Sequence, residues 1–218
     1  MPNQVPIDPD YNCKECPRLR QFILDARSAN PDWYNGPVPT FYPENGKDSV
    51  ELLIVGLAPG MRGANRTSRP FTGDYAGDLL YATLTKYGFA TGQYDARPDD
   101  SIKLEKTAIT NAVRCVPPEN KPVGAEINTC RKYLISTFEH LPNLKAIVTL
   151  GKISHDSTVR TLNAKVSQHP FGHNTPTKID DYMIFPSYHC SRYNTNTGRL
   201  TTEMFEDVFD KVKAYIST

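Results

Sequence analysis

Two groups of residues in this chain have the types and spacing to do chemistry. The first is a set of thiols. Cys13 and Cys16 form a CxxC pair, and Cys115 and Cys130 flank the Pro-rich turn VPPENKP with 14 residues between them. Four thiolates can build an S4 site for zinc or for an iron–sulfur cluster, and spacing alone does not separate the two. Four ordinary buried cysteines are the plain alternative. A thioredoxin-like CxxC would follow a strand, whereas this one follows a polar tail and precedes a helical pattern.

The second group stands where apolar runs end. The run VELLIVG leads into Gly56-Leu57-Ala58-Pro59-Gly60 and on to Gly63. Asn111 lies near the end of TAITNAV, and Tyr188-His189-Cys190-Ser191 follow YMIFPS. Phe71 and Asp74 fall in the link RPFTGD, just before a helical pattern. The glycine turn has neither GxGxxG spacing nor the Lys of a P-loop, which argues against a nucleotide-phosphate cradle. Each residue also has a plain structural reading. Asn111 can cap a loop, His189 can be a satisfied structural histidine, Asp74 can N-cap the next helix, and Phe71 can be core.

Hydrophobic periodicity supplies the elements that must position these groups. Strands are expected at 50–56, 107–113, 144–150 and 182–187, and helices at 17–29, 75–87, 125–139, 151–162 and 202–216. Strands alternating with helices predict a three-layer α/β/α sandwich with a central, mainly parallel four-stranded sheet. The expectation is one domain over 1–218, with a helical, CxxC-bearing lead-in over about 11–48. In such a sheet ligands bind outside the carboxyl ends of the strands, where Asn111, His189 and the glycine turn fall. The aromatic-rich stretch 30–47 reads as an ordered surface loop, and the polar stretch 91–103 as a mobile one.

Composition sets the bounds. The chain has 218 residues, 39% hydrophobic and 22% charged, enough apolar content to fold. No apolar run is long enough to span a membrane, and the polar N-terminus does not read as a signal peptide. A soluble, cytoplasmic protein is expected. Net charge is only +1, but residues 56–73 carry three arginines and no acid, and residues 186–200 carry two and no acid. A basic face on a neutral protein can steer a polyanion.

Together these blocks resemble a family. GLAPGMRGANRTSRPFTGDYAGDLLY is similar to the first motif of the family-5, b-type uracil-DNA glycosylases; TNAVRCVPPENKP and YHCSRYNTNTGRLT are similar to two later blocks. The resemblance runs in order across most of residues 11–210. It implies a monofunctional DNA glycosylase that acts in base excision repair, with a [4Fe–4S] cluster as cofactor on Cys13, Cys16, Cys115 and Cys130. Uracil-containing DNA is the implied partner, and a monomer the implied state. Phe71 resembles the aromatic that stacks on a flipped base, and Asn111 the amide that reads its Watson–Crick edge. His189 resembles the donor to the base O2, and Asp74 the carboxylate that positions water or stabilises a cation. Gly56, Leu57, Ala58, Gly60 and Gly63 would line the base site. Arg62, Asn65, Arg66 and Ser68 would hold DNA from one side, and Ser191, Arg192, Tyr193 and Asn194 from the other.

One departure is plain: the family reads His-Pro-Ser where this chain has His189-Cys190-Ser191. Proline fixes φ, so cysteine is expected to leave the loop freer and to put a free thiol beside the site. Two competing readings follow. One is a glycosylase whose main substrate is hypoxanthine or another damaged base; the other is an iron–sulfur-stapled nucleic-acid-binding module with lapsed catalysis.

Overall fold

A computed structural model describes residues 7–217. Helix α1 (Pro17–Ala29) precedes the first strand, β1 (Leu52–Gly56). A short helix α2 (Ala64–Thr67) and α3 (Tyr75–Tyr87) follow, then a small antiparallel pair, β2 (Ala90–Thr91) with β3 (Lys103–Leu104). The remainder runs β4 (Thr107–Asn111), α4 (Gly124–Glu139), β5 (Ala146–Leu150), α5 (Lys152–Thr161), β6 (Thr177–Ile179), β7 (Tyr182–Ser187), α6 (Arg192–Asn196) and α7 (Thr202–Ile216).

The main sheet has the order β4-β1-β5-β7-β6, parallel except for the antiparallel pair β6–β7. Every residue of β1, β4 and β5 is buried, as expected for strands covered on both faces. Side chains alternate across the pleat. Leu52, Ile54, Ile109 and Val148 pack against α3 and α7 through Leu80, Leu84, Phe205 and Phe209. Leu53, Val55, Ala108 and Ile147 pack against α4 and α5 through Leu134, Phe138 and Val159. These two cores make the three layers. No helix among the described residues is long and apolar enough to cross a membrane.

Two expectations need correction. The sheet has five strands, because β6 adds an antiparallel edge through a two-residue turn at Asp180-Asp181. The helix boundaries differ from expectation by no more than one residue. The stretch 91–103 is pinned and not loose. Asp100 forms a bidentate pair with Arg69 (2.8 and 2.7 Å), and Arg69 also donates to the Arg97 carbonyl at 2.9 Å.

The aromatic stretch 30–47 is ordered as expected. Phe41 exchanges backbone hydrogen bonds with Ile109 (both 2.9 Å), and the Val38 amide donates to the Arg114 carbonyl at 2.7 Å. Arg114, 1% exposed, donates to Asp8, Thr40 and Thr137 and so ties the lead-in to the sheet edge.

Candidate active site

The carboxyl ends of β1, β4 and β7 bring Gly56, Asn111 and the loop with His189 to one place. A pocket of about 260 Å3 lies there, lined by Ala58, Pro59, Gly60, Phe71, Asp74, Asn111 and His189 among others. A buried polar group normally has a partner. Here two do not: the buried atoms His189 Nδ1 and Asp74 Oδ1 are unpartnered. Asn111, which lines the same pocket, is 3% exposed. Orphaned groups converging on one pocket are the mark of a site kept ready for a ligand.

Burial sets their protonation. It pushes the His189 imidazole down to about 4, so the ring is neutral at pH 7. His189 keeps some accessible surface at the pocket mouth while protein surrounds the ring. Burial also pushes the Asp74 carboxyl above the usual aspartate value, and the amides of Gly77 and Ala76 pull against that shift. Asp74 stands at the N-cap position of α3, yet its side chain makes no capping hydrogen bond of good geometry.

Two glycines make the room. A Cβ on Gly56 would run into Asn111 Oδ1 and the Phe71 ring, and a Cβ on Gly63 would run into Asp74 Oδ2. Gly63→Ala is therefore expected to push the Asp74 carboxylate out of place. Misplacing a reacting group by about 1 Å can cost on the order of a hundredfold, so the single-turnover rate of any reaction that uses Asp74 should fall about tenfold to a hundredfold. Ligand binding measured beside it should change little. An unchanged rate would separate Asp74 from the chemistry.

Phe71 sits at the pocket's edge with φ +55, a conformation unusual for a non-glycine residue. A brace holds it. Tyr94 donates to the Phe71 carbonyl at 3.0 Å and accepts from the Gly73 amide at 3.3 Å, and Tyr81 donates to the Pro70 carbonyl at 2.7 Å. Arg69 lies over the Phe41, Tyr81 and Tyr94 rings while it pairs with Asp100. Sequence reading missed this brace, because Asp100 lies 31 residues from Arg69.

Not every expected site residue falls where it was placed. Leu57 lines a neighbouring groove and not this pocket. Asn65 is fully buried and donates to Asn35 Oδ1 at 2.9 Å, which fastens the loop. The Gly63 amide is taken by the Gly60 carbonyl at 3.2 Å, while the amides of Ala58 and Gly60 stay free of partners among the described residues. Ser191 caps α6 by accepting from the Asn194 amide, and Asn194 Nδ2 donates to the His189 carbonyl at 2.8 Å. Both therefore shape the loop that carries His189. Arg62, Arg66, Arg192 and Tyr193 are exposed, and Ser68 is half-buried.

Cys190 corrects the expectation of a freer loop. It is fully buried, and its Sγ lies 3.4 Å from the Ala76 carbonyl in the first turn of α3. The thiol thereby fastens the His189 loop to the helix that begins after Asp74, and it is shielded from solvent.

The other four cysteines meet behind this site. Cys13, Cys16, Cys115 and Cys130 line one cavity with Leu19, Val113 and Tyr133. Burial and their mutual repulsion raise the Cys115 thiol and push Cys16 up to about 11. The Arg114 amide donates to Cys130 Sγ at 3.4 Å. Among the described residues, no three His, Cys, Asp or Glu side chains close on a single metal ion.

Fold and site together define a three-layer α/β protein with a small pocket at its strand ends. The chain belongs to the uracil DNA glycosylase superfamily, whose family profile matches residues 43–213. A Type-5 uracil-DNA glycosylase of Thermus thermophilus is 38% identical over 208 residues, spanning 92% of each chain. A Type-5 uracil-DNA glycosylase of Pyrobaculum aerophilum is 32% identical over 207 residues, 93% of this chain and 88% of that one. Similarity also reaches a Type-4 uracil-DNA glycosylase of Sulfurisphaera tokodaii, 27% identical over 209 residues.

Proposed function

We propose that this protein is a DNA-repair glycosylase that hydrolyses the N-glycosidic bond of uracil in DNA and leaves an abasic site. The observation that carries the reading is the pocket that brings together Asn111, His189 and Asp74 beside the Phe71 ring, with His189 Nδ1 and Asp74 Oδ1 buried and unpartnered. A duplex hides the bond, so the nucleotide must first be turned out of the stack. Phe71 then offers a flat face to the base. The Asn111 amide accepts from uracil N3–H and donates to uracil O4. Cytosine presents the opposite pattern at those atoms, and each mismatched buried group costs about 1–3 kcal/mol.

As the bond breaks, negative charge grows on the leaving base. The neutral His189 ring donates to base O2, and the free amides of Ala58 and Gly60 are placed to add donors. Asp74 positions the attacking water or stabilises the positive charge on the sugar. Arg62, Arg66, Arg192 and Tyr193 hold the strand, with Tyr193, 73% exposed, standing out from the loop after His189. Phosphate contacts of this kind weaken as salt rises.

The cysteine cavity is read as the seat of a [4Fe–4S] cluster. Each thiolate of such a cluster binds a different iron, and the four thiols around one cavity supply that number of ligands. Cys13, Cys16, Cys115 and Cys130 would hold it, and the Arg114 amide would donate to one of their sulfurs. When bound, the cluster joins the segment before α1 to the loop after β4 and to α4. Protein prepared without oxygen should be brown, and Cys16→Ala should lose iron and melt at a lower temperature. Full-length protein without iron, or zinc in its place, would overturn this part.

The reading takes the chain as one domain acting as a monomer. Its test is a labelled duplex with one U·G pair, treated with protein and then with alkali. Parallel duplexes carry hypoxanthine or a thymine mismatch. Cleavage at uracil supports the reading, and faster cleavage at hypoxanthine moves the main substrate there. Tight binding without cleavage at any base would show a lapsed enzyme.

A further inference from the structure

Next to the base pocket, and sharing His189 with it, runs an open groove of about 690 Å3. Leu57, Ile153, Phe171, Tyr188 and Arg199 line it. Nothing in the reaction described so far uses this groove, and its walls are unusual for a surface. Ile153, in the first turn of α5, is 41% exposed. Tyr188 stacks on the His173 ring, with centroids 4.8 Å apart and planes 5° off parallel. The Arg199 guanidinium lies 4.6 Å from the centre of the same tyrosine ring.

His173, Tyr188 and Arg199 thus form a stack that ends in a planar cation. The Tyr188 amide donates to His173 Nδ1 at 3.1 Å, which fixes the lower two layers. Arg199 is exposed and makes no ion pair among the described residues, whereas Lys152 at the same rim is paired with Asp156. A guanidinium held against an aromatic ring keeps its charge and presents a flat face to the groove.

We propose that the groove is a second base site, which receives the base next to the flipped nucleotide when the DNA is single-stranded. The proposal rests on the glycosylase reading for the identity of the strand. Its own support is local. His189 lines both the pocket and the groove, so a base held in the pocket has the groove directly beside it. The wall offers apolar contact through Leu57 and Ile153 and a stacking face through Arg199. Stacking of this kind is tolerant of sequence, because every base has a π face. In a duplex the neighbouring base stays paired in the helix, so the groove serves single strands alone.

The test uses fluorescence anisotropy with single-stranded oligonucleotides that carry one uracil. The base on its 5′ side, on its 3′ side, or on neither is replaced by a tetrahydrofuran abasic residue. Wild-type protein should lose about fivefold or more in affinity for one of the two stripped oligonucleotides. Arg199→Ala and Ile153→Asp, both exposed positions, should lose most of that dependence while binding the stripped strand as wild type does. Equal wild-type binding to all three strands would overturn the proposal, and so would an unchanged dependence in both variants. Uracil release from the same strands is read in parallel. Flank dependence without release removes the glycosylase reading and keeps the groove; release without flank dependence does the reverse.

Discussion

His189→Ala is expected to excise uracil under single-turnover conditions about a hundredfold more slowly than wild type, or slower still. The size follows from what the ring does. A preorganised donor aimed at a developing anion contributes roughly 2.7–4 kcal/mol, and alanine leaves an apolar gap in its place. The ring's neutrality gives the prediction a second readout. Burial pushes His189 down to about 4, while an unfolded histidine titrates near 6.5. Between these values only the unfolded chain takes up the proton, so stability falls as pH drops through that window. The rate should show no inflection from His189 near pH 6.5. On the acid side it should fall as Asp74 gains its proton, above the ordinary aspartate range. A near-native rate in His189→Ala would remove the residue from catalysis. An inflection near 6.5 that disappears in the variant would contradict the neutral ring.

The second large effect is expected far from the reacting bond. Asp100→Ala leaves the Arg69 guanidinium without its carboxylate, in a pair whose side chains are 8% and 0% exposed. Breaking such a pair by removing one partner typically costs about 3–5 kcal/mol. The loss should appear as an earlier midpoint in urea unfolding. The same change frees the link that holds Phe71 at φ +55, so base binding should weaken in step. Tyr94→Phe is the milder companion. It removes the hydroxyl that joins the Phe71 carbonyl to the Gly73 amide and leaves the ion pair intact. It should raise KM for a uracil oligonucleotide with little change in stability. Unaltered stability in Asp100→Ala would show that the loop over 91–103 is not a brace.

Much of the fold was legible because burial leaves a strong local trace. LLIV, TAIT and AIVT are short apolar runs between polar links, and each is a fully buried parallel strand. Strand β6 leaves almost no trace, since three residues at an edge with an exposed lysine between them carry no apolar run. Its one local sign is the Asp180-Asp181 pair, with Asp180 at φ +49 and flanked by Ile179 and Tyr182.

The site was legible by position, because ligand-facing residues must follow the strand ends. What sequence could not give is partnership over long separations. Asn65 reads as polar and surface-directed within a basic run, yet it is spent on Asn35, 30 residues away. Arg69 adds to the same run's positive charge on paper, while in the fold Asp100 cancels it. Cys190 reads as a loosened proline position, and only the packing of the loop onto α3 reveals its contact with Ala76.

The most direct measurement is the release of free base. Protein in excess over a U·G duplex is quenched over time, and free uracil and strand length are measured in the same samples. The account predicts stoichiometric release of uracil with the strand intact until alkali is added. Duplex bound tightly with no uracil released, or a strand cut without alkali, would contradict it.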